Sequence, residues 1–266
     1  MMHWQNLTTA AIAEAAERDA VVVVTVGATE QHGAHLPSGT DSMCAQAIAT
    51  EAARIANDAG QPTLVAPPVW VGYSRDHDAF AGTLSVGHRT LSLFLVDIGV
   101  SIMKNGFKRL LILNGHGSND RLLYYVLRDI QDKSKSSGAL CAVTYWKTAA
   151  DIVMAERESS PGGMAHACEF ETSLMLHYHG DLVRMQDAKD ERASEYSSYR
   201  RQDLFAAGPV MAPDRFDELS RSGVVGDPTL ATAAKGASWG ASIAARVADL
   251  IKDMATWPLT GPEAGR

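Results

Sequence analysis

Unbroken apolar runs alternate along this chain with stretches of helical periodicity, the pattern of strands buried on both faces between amphipathic helices. The segment AIAEAAERDA (11–20) is helix-like, and VVVVTVG (21–27) is a continuous run rich in β-branched residues. After a polar loop, residues 41–60 carry helical periodicity and stop at Gly60, a common helix terminator. The pattern repeats with a strand opening TLVAPPVWVG (63–72), a helix over 90–105, a strand in KRLLILNGHGSND (108–120), a helix over 121–135 and a strand in ALCAVTYW (139–146). This order predicts a layered α/β fold with right-handed crossovers. In such folds ligands gather beyond the carboxyl ends of the strands, so the loops after 27, 69, 113 and 146 are expected on one rim.

Farther on, helical spacing predicts burial of Phe170 and Leu174, with His177 or Tyr178 on related faces. The alanine-rich stretch from Thr229 to Met254 reads as a closing helix, interrupted near Gly236 to Gly240. Residues 186–206 are polar with little core material. The chain is therefore expected to form a single domain over 1–266, with a lid or excursion over 186–226; a plain surface loop is the competing reading of that stretch.

Composition narrows the function classes. Apolar residues make up 46% of the 266 residues and charged residues 21%, ordinary globular usage. The net charge of -7, spread along the chain, disfavours nucleic acid, which calls for a basic patch. Cys44, Cys141 and Cys168 form no CxxC pair, so neither a disulfide framework nor a cysteine zinc site is expected. Charged residues interrupt the first segment before a signal-like stretch could form, and no run has the length to span a bilayer. The cytoplasm is the expected compartment.

The chemistry concentrates in the predicted rim loops. TEQHGAHLPSGTD brings Glu30, His32, His35 and Asp41 together directly after a buried strand, and such carboxylate and imidazole donors suit zinc, manganese or iron. Glu30 and His32 share strand parity if the strand continues, and Asp41 at the next helix start is expected to be held by free N–H groups. NGHGSND adds His116 after a second buried strand. GGMAHACEFETSLMLH adds His166, Glu169 and Glu171; the two glutamates cannot share one face of a regular helix, so one should face the site while the other caps or pairs structurally. His35 reads as a loop-pinning residue in preference to a substrate contact. Asn114 and Asn119 can close the second turn through their side chains.

These loops resemble the creatininase, or creatinine amidohydrolase, family through TEQHGAHLPSGTD, the NGH turn, the HAxxxETSLML segment and VVGDPTLATAAKG (224–236). The resemblance implies a three-layer α/β/α sandwich with a mostly parallel central sheet, often assembled as a homohexamer, and metal-dependent hydrolysis of cyclic amides and related compounds. It implies Glu30 and His116 on one ion, His32 on the other and Asp41 bridging. Creatinine-hydrolysing members carry a glutamate two residues after the second-motif histidine, where this chain has Ser118. Glu169 is therefore expected as the compensating ligand, with Glu171 as its substitute, and creatinine itself is placed in doubt. Trp146 reads either as a wall of the substrate site or as core; Trp70, Tyr73 and Asn119 are further candidate substrate contacts, beside the polar residues Arg75, Asp76 and His77.

Two ions a few ångströms apart lower the pKa of water between them and polarise a carbonyl. Zn2+ is the first expectation, with Mn2+ or Fe2+ as alternatives. The resemblance gives His166 proton transfer to the leaving group; its competing reading is a histidine that only orients a carboxylate. The leading expectation is cleavage of a carbon–nitrogen bond in a small cyclic amide or formamide-like compound. The alternative is hydrolytic opening of a cyclic keto-sugar or keto-inositol, and a non-catalytic metal-stabilised sensor or assembly protein ranks last. No GxSxG elbow or GxGxxG fingerprint is present, and a Cys168 thiol mechanism would leave the acidic loop residues without a role.

Overall fold

The computed structural model describes residues 2–135, 137–193 and 197–261. Helix α1 (Thr9–Glu17) opens the chain, its first turn capped by the Thr8 hydroxyl, which accepts from the Ala11 amide. Strand β1 (Val21–Val26) leads through a loop into α2 (Thr40–Asp58) and β2 (Thr63–Val65). Then come α3 (His88–Lys104), β3 (Arg109–Asn114), α4 (Asp120–Ser134) and β4 (Ala139–Thr144). The second half carries α5 (Ala150–Glu156), β5 (Met164–His166), α6 (Glu169–Tyr178), the short α7 (Phe216–Leu219), β6 (Val225–Gly226) and α8 (Ala233–Met254).

The central sheet has the order β2-β1-β3-β4, and every pairing in it is parallel. Its strands alternate between two cores. Val21, Val23, Leu111 and Leu113 face α2, α6 and α8, while Val22, Val24, Val26, Leu110 and Ile112 face α3 and α4. Strands buried on both faces have no polar side, which explains the unbroken apolar runs. The result is the α/β/α sandwich anticipated from the sequence. A small antiparallel pair, β5 with β6, lies outside the central sheet.

From β1 the chain moves to β2 on one side and then crosses to β3 on the other. The crevice between the ends of β1 and β3 is thus a topological switch point, the usual binding place in open α/β sheets. The loops after β1, β3 and β4, with the turn near His77, line a common cavity there of about 320 Å³.

One local expectation fails. Helix α8 runs through Gly236 and Gly240 without a break. These glycines serve close approach: a Cβ at Gly236 would collide with the Ser173 carbonyl oxygen, and one at Gly240 would lie 2.5 Å from the Tyr178 hydroxyl. They let α8 press onto α6. On α6, Phe170 and Leu174 are buried as their spacing predicts, while His177 is exposed and Tyr178 half-buried.

The segment expected as an excursion contains α7, β6 and several turns, and residues 194–196 of it lie outside the described residues. It is tied to the body by buried Asp203, whose carboxylate accepts from Arg157 at 3.0 and 3.1 Å and from the amides of Gly162, Phe205 and Ala206. No helix among the described residues is long and apolar enough to cross a membrane.

Candidate metal centre

Glu30 and His32 sit in the loop after β1, closed by a 2.9 Å bond from the Glu30 amide to the Ser38 carbonyl. Strand β1 has ended by then, so this loop rather than strand parity aims both side chains inward. Asp41 lies in the first turn of α2. It meets histidines instead of the helix N–H groups expected for it: Oδ1 is 3.1 Å from His32 Nε2, and Oδ2 is 3.0 Å from His116 Nδ1. His116 follows β3 at a turn where Gly115 is required, since a Cβ there would lie 2.7 Å from the Asp41 carbonyl oxygen. His116 Nδ1 is also 3.3 Å from Glu30 Oε1.

Two groups of donor atoms converge, each within 4.8 Å: Glu30, Asp41 and His116, and His32, Asp41 and Glu171. Asp41 belongs to both. A third group, Glu30, His32 and His166, meets the same criterion. All of these residues are buried.

The hydrogen-bond partners of the imidazoles show what such an arrangement can hold. A backbone carbonyl only accepts, so any ring nitrogen bonded to one carries the proton. His32 Nδ1 bonds the Glu30 carbonyl at 3.1 Å, His116 Nε2 the Tyr73 carbonyl at 2.9 Å, and His166 Nε2 the Gln31 carbonyl at 2.7 Å. In their neutral forms all three therefore turn a bare nitrogen toward the carboxylates. Both Glu30 oxygens and Asp41 Oδ2 are buried without a hydrogen-bond partner among the described residues. Lone pairs facing lone pairs in a buried site fit divalent cations, and outer N–H groups anchored on carbonyls are the usual support of metal-binding histidines.

Without metal, protons take the place of cations. Burial works against the charged form of His32, but the charge and hydrogen bond of Asp41, with Glu171 and Glu30, raise its pKa to about 9. His116 is likewise held well above its ordinary value against burial, chiefly by Glu30. Burial would raise Asp41, but His32 and His116 hold it well below the usual carboxylate range. Glu171 is raised to about 7, mainly by burial. His166 is pushed well below its ordinary value by burial and by the neighbouring His32 and His77.

The expected compensating ligand, Glu169, is turned away. Its Oε1 is 2.7 Å from Lys235 Nζ, and its two oxygens accept from the amides of Glu158 and Ser159 at 3.1 and 2.9 Å. Glu171 faces His32 and Asp41 instead, while Oε2 also receives the Cys168 amide at 3.4 Å. Two residues on a helix differ by about 200° in direction, so the two glutamates cannot exchange places. Ser118, standing where creatinine-type members have a glutamate, donates to Asp76 Oδ2 at 2.8 Å.

Of the aromatic and amide candidates for substrate contact, only buried Trp146 lines the cavity, and it belongs to the core as well; of the polar candidates, Asp76 and His77 line it. Trp70 is 55% exposed and lies away from the cavity lining. Tyr73 contributes its carbonyl to His116, while its ring packs toward the α3 and α4 core. Asn119 is consumed in holding loops together: it donates to the Gly27 carbonyl and accepts from the Tyr73 amide, both at 3.0 Å. Strong backbone partners leave that side chain no freedom to reach the cavity. His35 bonds the Thr172 hydroxyl at 2.9 Å, which suits the loop-pinning reading.

Gln31 and Phe216 were not singled out in the sequence, and His77 was named only among the polar candidates beside Tyr73. His77 is buried on the cavity wall, its Nε2 3.3 Å from Glu30 Oε1. Gln31 supports both His77 and His166. Phe216 of α7 stacks on His77 with centroids 3.9 Å apart and meets His166 edge-on at 4.7 Å. The polar run around His77 was a visible signal; nothing local marks Phe216.

Comparisons with known proteins agree with this geometry. The sequence profile of the family described as Creatininase: Creatinine amidohydrolase matches residues 5–251. A mycofactocin precursor peptide peptidase of Mycobacterium tuberculosis is 34% identical over 241 residues, spanning 89% of this chain and 85% of that protein. A creatinine amidohydrolase of Pseudomonas putida is 28% identical over 76% of this chain and 79% of its own length. The solved structure named Creatininase Mn superimposes with a TM-score of 0.79 at 25% identity, covering 96% of this chain and 99% of that one. With two convergent donor groups sharing Asp41 on this fold, the chain belongs to the creatininase family of metal-dependent hydrolases.

Proposed function

We propose that this protein hydrolyses a carbon–nitrogen bond of a small cyclic amide or formamide-like substrate at a two-metal centre. Glu30, Asp41 and His116 would hold one ion, and His32, Asp41 and Glu171 the other. The single observation that carries this reading is the pair of buried donor groups sharing Asp41, with orphaned carboxylate oxygens opposite bare imidazole nitrogens. Such ions, when bound, activate water near neutral pH and polarise a carbonyl. Mixed oxygen and nitrogen donors suit Zn2+ first, with Mn2+ or Fe2+ as alternatives.

The protein's own groups supply the rest. His166 keeps its proton on Nε2 through the Gln31 carbonyl, leaving Nδ1 to take a proton from the attacking water and return it to the leaving nitrogen. Trp146 walls a cavity of about 320 Å³, room for a small ring with its substituents. Phe216, carried by the excursion, covers His77 and His166 and limits water there, which supports reading that segment as a lid.

A second reading, cleavage of a peptide amide, is favoured by the 34% identity to the mycobacterial peptidase and by the rim of the cavity. There Arg121 is exposed and has no ion-pair partner among the described residues, which suits a substrate bearing a carboxylate. Assembly as a homo-oligomer, a hexamer by family likeness, is supported by exposed Leu93 and Phe94 on α3 and Tyr124 and Tyr125 on α4, helices that pack side by side. A cytoplasmic setting fits the three free cysteines.

The deciding experiment is a screen of the zinc- and manganese-loaded protein against cyclic amides, formamides, short peptides and cyclic ketones, with product analysis. A new amine supports amide hydrolysis, whereas a carboxylate without an amine would replace it with ketone opening. Absence of turnover together with unaltered stability on chelation would remove the metal-hydrolase mechanism for these residues.

A further inference from the structure

His77 is the one imidazole in the cavity wall whose hydrogen bonding is opposite to that of its neighbours. Its Nδ1 lies 3.0 Å from the Gln31 side-chain nitrogen. That amide cannot be turned around, because Gln31 Oε1 accepts the Gly33 amide at 2.9 Å and Nε2 donates to the Gly223 carbonyl at 3.0 Å. Gln31 therefore donates to Nδ1, and the ring proton of neutral His77 must sit on Nε2. In their neutral forms His32, His116 and His166 each spend their proton on a backbone carbonyl and turn a bare nitrogen inward. With all four rings neutral, His77 alone among them turns an N–H inward.

That N–H is unspent. Glu30 Oε1 is 3.3 Å from His77 Nε2 yet out of line for a hydrogen bond, and it remains without a hydrogen-bond partner. The ring is gripped on one face by Phe216 at 3.9 Å and 21°. It lies 4.5 Å, centroid to centroid, from His166. A fixed neutral imidazole N–H on the wall of the cavity is a competent donor to an oxygen that gains negative charge.

We propose that His77 is a catalytic hydrogen-bond donor, presenting Nε2–H to the carbonyl oxygen of the substrate, and that Gln31 is the positioning residue that fixes its tautomer. It is thereby set apart from the metal ligands, although its type and place would suit one. The inference rests on the amide-hydrolase reading for its substrate oxygen but not for its tautomer, so the two fail separately.

The test begins with 15N–1H correlation spectra of imidazole-labelled, metal-free protein. A bare Nδ1 and protonated Nε2 on His77 are expected, with the proton displaced to Nδ1 or both nitrogens protonated in Gln31→Glu. Acetohydroxamate, an oxygen-bearing amide analogue, is then titrated into the zinc-loaded protein. His77→Phe should bind it about tenfold more weakly, the loss of roughly one hydrogen bond to a charged group. His77→Gln, which restores an N–H, should recover most of that loss, and zinc content should be equal in all three. An Nδ1–H tautomer in the wild type overturns the proposal, as does a zinc-shifted His77 Nε2 or an unweakened affinity in His77→Phe. Loss of zinc from His77→Phe would overturn it too, by making His77 a ligand.

Discussion

Lys235 Nζ lies 2.7 Å from Glu169 Oε1, and this pairing decides which glutamate of α6 can serve the metal centre. Glu169→Gln should retain metal and turnover but lose about 2 kcal/mol of stability, the scale of a hydrogen bond to a charged group. Glu171→Gln should do the reverse, losing bound metal with little change in metal-free stability. Metal analysis of the two purified variants, alongside urea unfolding, separates them. If Glu169→Gln emerges without metal, the division of roles between the two carboxylates is wrong.

Metal and protons compete for His32. In the metal-free protein its pKa stands at about 9, above the ordinary 6.5. The proton it holds stabilises the fold fully below pH 6.5, and that contribution is lost as pH rises through about 9. Thermal melts of chelator-treated protein should therefore fall across this window. Metal affinity should rise over the same interval, because the ligand nitrogen must be bare. Melting temperatures that climb from pH 6.5 to 9 after chelation would contradict the assignment of charge to His32.

His166→Gln should lower kcat by roughly 10²- to 10⁴-fold, the usual share of a positioned proton-transfer group. Metal content should stay near that of the wild type. The third donor group makes His166 close enough to ligate, so zinc analysis of the same variant is the control. Coordinated loss of zinc and activity would move His166 into the ligand set.

Arg121 stands on the cavity rim with no ion-pair partner among the described residues. Replacing it with alanine should raise KM about tenfold for a substrate carrying a carboxylate, with kcat unchanged. A neutral substrate should show no change. Equal effects on both would remove Arg121 from substrate selection.

At the α6–α8 contact, Gly236→Ala sets a methyl group against the Ser173 carbonyl oxygen. Overpacking of this kind costs about 1–3 kcal/mol. The displacement should also weaken metal binding, since α6 carries Glu171. Denaturant midpoints and metal titrations on one preparation read both effects, and a variant as stable as the wild type would show that the helices can part freely.

Apolar periodicity alone makes the layered fold legible. Val21 to Val26 and Arg109 to Asn114 are buried along their whole length, and residues next to each other in sequence fill opposite cores. The donors Glu30, His32, Asp41 and His116 were legible for a related reason, because parallel strands deliver their carboxyl-terminal loops to one edge. Trp70 and Tyr73 carried the right residue types on the right loop, but a type says nothing of where a ring points. What tertiary structure alone decided is orientation. The rotation of α6 selects Glu171 over Glu169, and glycines sixty positions or so later on α8 let those helices touch. The proton on His77 is fixed by Gln31, which is itself fixed by the carbonyl of Gly223, 192 positions away. Sequence determines which groups are available and which strand ends bring them together; packing between distant segments determines which way each group faces, because hydrogen bonds and close contacts act across space and not along the chain.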